Sequence, residues 1–342
     1  MNYESILIVT YGRSGSTLLQ GVLNTIDGCF IRGENMNFCR GLYQSYLALR
    51  LTRDTYGEAG ECHAATSPWF GAAQLNLERF LQDARSMLLH QLMGDRDEKP
   101  RCVGFKEIRY FGMPAGELHG YLDFLAELLP RPAFLFLTRD HDEVSRSGWW
   151  AFQHPELLKA RLEEFEDAIG NYRSSTAGTF FLDYSDLAPG AIRLRNLHAF
   201  LGVPYRPERV ERVLGVRHSF RLRNPCTVRW SPEAGRWLDR LSLDPMWPEP
   251  RKPFALTGVA VLNRHELQRV CRLECEDASG RRAAEWEISS AHSGELLPAE
   301  TRLRSAGFRL DDVVLEDNKP IRLVLVRPSG QECELLTVSL RS

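Results

Sequence analysis

The sequence predicts an α/β fold, a central parallel sheet with helices on both faces, followed by a C-terminal all-β, sandwich-like domain. Three observations carry this reading. Apolar strand-like runs alternate with helical periodicities over the first 245 residues, and such alternation implies parallel pairing through crossover helices. Residues 245–254, Pro-Met-Trp-Pro-Glu-Pro-Arg-Lys-Pro-Phe, hold four prolines and continue neither a helix nor a ladder. Beyond them short strand signals recur, some separated by the turn-prone Asp277–Gly280 and Pro328–Gly330. These features place two domains, at 1–245 and 251–342.

The first domain reads in order as follows. Ile6, Leu7, Ile8 and Val9 form a buried apolar strand within 5–10. After a Gly/Ser/Thr loop, Leu18, Leu19, Val22, Leu23 and Ile26 recur at helical spacing and give a helix over 16–26. A helix over 75–93, a strand over 102–106, a helix over 117–129 and a strand over 133–138 follow. Asp142 is an N-cap candidate for a helix over 143–153, and a helix over 156–173 and a strand over 179–183 complete the alternation. In the second domain the strands fall at 255–262, 270–276, 284–288, 308–314, 321–326 and 334–340.

Composition excludes several classes. A chain of 342 residues with 43% hydrophobic content can build one large core or two. A formal charge of −2 gives no basic footprint for nucleic acid. Arginines do gather at 206, 209, 212, 217, 221 and 223, as a solvated face or part of a phosphate-lined cleft. No run approaches a membrane span, and Met1–Ser5 precedes a core strand without a signal-peptide pattern. Eight cysteines lack zinc spacing, so buried small hydrophobes are expected and no metal is indicated.

The chemistry concentrates at Gly12-Arg13-Ser14-Gly15-Ser16-Thr17. A strand, a Gly/Ser/Thr loop and a helix N-terminus turn free amides and the positive dipole end toward one anion. The two glycines let the backbone close on it, Ser16 and Thr17 add hydroxyls and Arg13 adds a fixed charge. A nucleoside-triphosphate loop would need Gly-Lys-Ser/Thr, but Thr17 stands where its second Gly belongs and no Lys follows. Ser14 and Thr17 likewise break the dinucleotide pattern. A second anion signal is Arg139 at the end of the 133–138 strand with Ser147 eight positions later.

Loop and strand end together resemble those of sulfotransferases, whose 5′-phosphosulfate loop reads Pro-Lys/Arg-Ser-Gly-Thr-Thr and whose 3′-phosphate motif pairs a strand-end Arg with a later Ser. The Arg form is similar to Golgi-type and bacterial carbohydrate or tyrosine sulfotransferases. The resemblance covers about residues 1–245 and is supported by Asp183-Tyr184-Ser185-Asp186-Leu187, similar to the family's Tyr-Glu-Asp-Leu strand end. It implies a P-loop-like sheet and 3′-phosphoadenosine 5′-phosphosulfate (PAPS) as donor, with the desulfated nucleotide (PAP) as product. Arg13, Ser14, Gly15, Ser16, Thr17, Leu18, Arg139 and Ser147 would bind it, with Arg221 and Arg223 as the late basic loop. Leu18 departs from the cytosolic members, which carry an adenine-stacking Trp at that position.

Sulfuryl transfer needs a base for the acceptor hydroxyl and positive charge over the sulfuryl oxygens and departing phosphate. In Arg-type relatives a Gly-Glu pair supplies the base, which maps onto Gly33-Glu34; a solvated surface glutamate is the alternative. Lys106 is placed for the sulfuryl group, Arg13 for the leaving phosphate, and Glu107 is the second candidate base or a structural partner of Arg109. The β-rich domain suits a large acceptor, a sugar hydroxyl of a bacterial glycan, or else only stabilises the enzyme or a homodimer. Small-molecule, lipid or tyrosine hydroxyls, a P-loop kinase and an inactive glycan-binding relative are the competing readings. Golgi members carry an anchoring helix, and its absence here fits a cytoplasmic, bacterial enzyme.

Overall fold

The computed structural model describes residues 1–58, 63–96, 98–216, 226–244, 252–260, 272–287, 307–316, 319–327 and 329–340. The chain divides into two compact units, Met1–Asp140 with Leu162–His218, and His141–Arg161 with Ser219–Ser342.

The first unit is built on a parallel sheet of five strands: β1 (Ser5–Val9), β2 (Cys29–Arg32), β3 (Cys102–Glu107), β4 (Pro132–Thr138) and β5 (Gly178–Asp183), in the order β2-β3-β1-β4-β5. Its helices are α1 (Ser16–Leu23), α2 (Phe38–Tyr56), α3 (Leu77–Met93), α4 (Ala115–Leu128), part of α6 (Pro155–Asn171), α7 (Ile192–Leu201) and α8 (Pro207–Leu214). Strand alternation sends Ile6 and Ile8 of β1, with Leu135 and Leu137 of β4, into a core with Leu19 and Leu23 of α1 and Leu194 and Leu197 of α7. The opposite face is also covered: Phe134 and Phe136 of β4 lie 6.0 and 6.2 Å, centroid to centroid, from Tyr172 beyond α6. Burial on both faces explains why these strands read as continuous apolar runs. The edge strand β2 is short, and the Asn24 side chain stands in for a missing neighbour: its Nδ2 donates to the Ile31 carbonyl at 2.9 Å and its Oδ1 accepts the Ile31 N–H at 2.8 Å.

The second unit contains α5 (His141–Ser145), a 3₁₀ turn at Gly148–Phe152 and two antiparallel sheets. Its strands are β6 (Cys226–Trp230), β7 (Leu238–Asp244), β8 (Pro253–Ala260), β9 (Arg272–Asp277), β10 (Gly280–Ala283), β11 (Glu285–Glu287), β12 (Gly307–Val314), β13 (Ile321–Val326) and β14 (Glu332–Leu340). One sheet runs β10-β9-β13-β14-β6 and the other β11-β12-β8-β7. They share one core, in which Leu256, Phe308 and Leu310 of the second meet Leu273, Leu323 and Leu336 of the first.

Three expectations change. β6 and β7 pair with β14 and β8, so the sheet boundary falls before Cys226 rather than at the proline-rich stretch. The helix expected over 143–153 is broken: Ser147 is extended (φ −109°, ψ 123°) and Gly148 takes φ 61°, so Ser147 caps a 3₁₀ turn rather than sitting in a helix. The helix over 16–26 ends at Leu23. Among the described residues no helix is long and apolar enough to cross a membrane.

Candidate active site

The C-terminal ends of the parallel strands bring the chemistry of the first unit together. The loop after β1 turns sharply, with Arg13 at φ 68° and Gly15 at φ 92°. Gly15 is the N-cap of α1 and has no side-chain cap, while its carbonyl accepts the N–H groups of Leu18 at 2.9 Å and Leu19 at 3.2 Å. α1 carries no acidic residue in its first turn, so nothing of its own neutralises the dipole there. The Ser14 hydroxyl is buried beside this terminus without a hydrogen-bond partner. Ser16 is buried, Thr17 is exposed, and Leu18 packs into the core beneath.

Arg139, following β4, reaches the same loop. Its Nη1 donates to the Arg13 carbonyl at 3.0 Å, and its guanidinium lies 4.0 Å from the centroid of the Tyr184 ring. Burial and the neighbouring Arg139 charge push the Arg13 guanidinium down from its ordinary pKa. Two like charges over a helix terminus with an orphaned hydroxyl are what an anion of the phosphate type would stabilise. Tyr11 fixes the Arg139 backbone: the Arg139 N–H donates to the Tyr11 phenol at 2.7 Å, and the phenol donates to Glu166 Oε1 at 2.7 Å. Burial, then the Glu166 carboxylate, hold the Tyr11 phenol neutral by raising its pKa.

Tyr184 also explains Gly15. A Cβ at Gly15 would lie 2.3 Å from Tyr184 Cδ2, besides requiring an alanine at positive φ. Gly15→Ala is expected to destabilise the protein by about 1–3 kcal/mol and to displace the ring that carries Arg139. Thermal melting and PAP titration check this; wild-type values for both would contradict it.

The second cluster lies across β3 and β2. Lys106 Nζ donates to Glu34 Oε1 at 2.5 Å, and Arg109 Nη1 lies 3.4 Å from Glu34 Oε2. Lys106 is 5% exposed, whereas the Glu34 side chain is 35% exposed and open to a partner. Glu107, the other candidate base, is fully buried and committed elsewhere. Its Oε2 accepts the N–H groups of Asn35 at 3.2 Å and Asn37 at 2.8 Å; its Oε1 accepts those of Ile108 at 2.8 Å and Arg109 at 3.1 Å, and the Arg109 guanidinium at 3.0 Å. The loop it grips carries Glu34 and is strained, with Met36 and Asn37 both left-handed at φ 58° and 55°. Tyr121 completes the grip by donating its phenol to Asn37 Oδ1 at 2.7 Å.

Arg13, Ser14, Gly15, Ser16, Thr17 and Arg139 thus meet at one loop, and Lys106 of β3 meets Glu34 in the loop after β2. Ser147 belongs to the second unit. Arg221 and Arg223 lie outside the described residues. Of the two tryptophans after Ser147, Trp150 is buried and Trp149 is 37% exposed. Sequence reasoning missed Tyr11, Tyr184, Asn35 and Asn37, whose roles depend on partners distant in the chain. Among the described residues no group of three or more His, Cys, Asp or Glu is arranged to hold a metal ion.

No curated protein matches the chain at a significant level. Residues 5–207 match the model of the sulfotransferase family. That match spans more than half of the 342 residues and encloses every strand of the parallel sheet, and the chain therefore belongs to the sulfotransferase family.

Proposed function

We propose that the protein transfers the sulfuryl group of PAPS to a hydroxyl of a glycan. The observation that carries this reading is the order of groups along the sheet. Glu34 follows β2, Lys106 closes β3, the Gly12–Thr17 loop follows β1 and Arg139 follows β4, and these strands are neighbours in that order. A base, a cation for the transferring group, a 5′-phosphate cradle and a 3′-phosphate arginine stand in the sequence in which one in-line reaction would use them.

In this mechanism Glu34 takes the proton of the acceptor hydroxyl as its oxygen forms the new bond to sulfur. The bond between sulfur and the bridging oxygen of the 5′-phosphate breaks, and the electron pair leaves with PAP. Lys106 faces the charge on the sulfuryl oxygens, and Arg13 with the amides at the start of α1 faces the departing phosphate. Arg139 binds the 3′-phosphate, held over Tyr184 and anchored at its backbone by Tyr11. Ser147, Arg221 and Arg223 are the further residues that the resemblance to the family implies for the 3′-phosphate. Glu107 is the positioning residue of the Glu34 loop rather than a base.

A sugar acceptor is proposed over a small phenol because the chain carries a β-rich unit that a small phenol does not call for, and binding energy away from the reacting hydroxyl can be spent on positioning a larger substrate. Truncation near residue 250 would strip β6 and β7 of their partners β14 and β8, so the test keeps the full chain. Labelled PAPS incubated with oligosaccharides, lipid-linked glycans, phenols and tyrosine peptides should label the glycans. Exclusive labelling of phenols or peptides would overturn the acceptor assignment, and phosphoryl transfer from ATP would overturn the reaction.

A further inference from the structure

The donor reading occupies the ends of β1 and β4, and the edge strand β2 carries positive charge that this reading does not use. Phe30 and Arg32 stand two apart on β2, so alternation puts them on one face. The Phe30 ring gathers two guanidiniums: that of Arg96 lies 3.6 Å from its centroid and that of Arg32 5.2 Å. Arg32 spends its Nε on the Leu92 carbonyl at 2.7 Å, and among the described residues neither arginine is in an ion pair. Asp95 and Glu98, the described acidic neighbours of Arg96 in sequence, pair with neither. Two like charges drawn to one ring repel each other, and an anion reached by both would offset that repulsion while taking their planar N–H donors.

A cavity of about 470 Å³ opens at this strand, within the about 300–1,000 Å³ usual for small-ligand sites. Phe30, Arg32 and Glu34 all line it. Glu34 is the one carboxylate of the lining, and Lys106 at 2.5 Å and Arg109 at 3.4 Å already engage it, so Arg32 has no acidic partner there. Neither Lys106 nor the Gly12–Thr17 loop lines the cavity, so the reacting hydroxyl does not meet sulfur inside it. It is a neighbouring compartment that shares Glu34 with the reaction cluster. A group seated there belongs to a part of the acceptor away from the reacting hydroxyl, where its binding energy serves to position the chain.

We propose that Arg32 and Arg96, gathered at Phe30, hold an anionic group of the acceptor glycan, a carboxylate or sulfate on a sugar other than the one that Glu34 deprotonates. The proposal rests on the sulfuryl-transfer reading with a glycan as acceptor. Its test is calorimetry of the full-length protein in the presence of PAP. The probes are hexuronic acid tetrasaccharides, the same chains carboxyl-reduced to neutral hexoses, the reduced chains O-sulfated, and a glutamate-rich tyrosine peptide. At least one anionic chain should bind on the order of tenfold more tightly than its neutral counterpart, by an advantage that shrinks as salt rises. Whether the uronic or the sulfated chain leads tells which anion is held. Arg96→Gln and Arg32→Gln should each remove the advantage while PAP affinity is unchanged; Arg96→Gln is decisive if losing the Leu92 contact unfolds the Arg32 variant. Equal affinity for charged and neutral chains, a charge preference that survives Arg96→Gln, tighter binding of the peptide than of any glycan, or no glycan binding beside intact PAP binding would overturn this proposal and leave the reaction standing. Failure of the wild type to bind PAP would instead remove the reaction reading, and this proposal with it.

Discussion

Glu34→Gln is expected to keep PAP affinity and to lose turnover by a factor on the order of 10²–10⁴, the span of general-base catalysis. The substitution preserves shape but removes the only atom set that can accept the hydroxyl proton at this position. Glu34 is the accessible carboxylate of the cluster, held by Lys106 and Arg109 at 2.5 and 3.4 Å. An amide at position 34 would leave Lys106 with a neutral partner, so single-turnover kinetics should show the loss in the chemical step. Near-normal turnover with PAPS and an accepted glycan would contradict the assignment.

Glu107→Ala is expected to act on stability first, by about 3–5 kcal/mol, because removing a buried carboxylate orphans its partners. Four backbone N–H groups and the Arg109 guanidinium lose their acceptor, and the two left-handed residues at 36 and 37 lose what holds them. Scanning calorimetry should show the transition that melts the parallel sheet lowered by roughly 6–20 °C. Burial alone would raise the Glu107 pKa, but the amides of Ile108, Asn37 and Asn35 and the Arg109 charge outweigh it and hold it below 4.5. A depressed folded value contributes stability that is complete above pH 4.5 and is lost as pH falls through the lower folded value. Glu107→Gln should therefore lose that contribution at neutral pH and show a flatter acid limb. A melting curve like wild type would make the grip on the Glu34 loop dispensable.

Local chemistry was legible in the sequence and long-range chemistry was not. The loop from Gly12 to Thr17 declares itself because strand, turn and helix signals are contiguous there. Six of the second unit's described strands were readable from alternation and turns, as at Ile321–Val326, where expectation and structure coincide, whereas β6, β7 and β10 were missed. β2 was missed because its four residues, Cys29–Arg32, are too few to show a period. α2 was missed for a related reason: only Cys39 and Tyr43 of its nineteen residues are buried, so it carries no apolar stripe. Ser147 misled because an Arg and a Ser eight apart look helical until Gly148 takes a left-handed turn. The Glu107–Arg109 pair was legible and is present at 3.0 Å, but the grip of Glu107 on the Asn35 N–H was not, since that contact joins residues 72 apart in the chain.

The claim that Arg13 and Arg139 bracket the two phosphates of one nucleotide is tested most directly by calorimetry with PAP and with AMP, which lacks the 3′-phosphate. Wild type should bind PAP roughly 10–150-fold more tightly than AMP, the worth of one charge-assisted contact of about 1.5–3 kcal/mol. Arg139→Ala should bring PAP down to the AMP level and leave AMP unchanged, whereas Arg13→Ala should weaken both. Equal wild-type affinity for the two nucleotides, or an Arg139→Ala protein that still prefers PAP as wild type does, would contradict it.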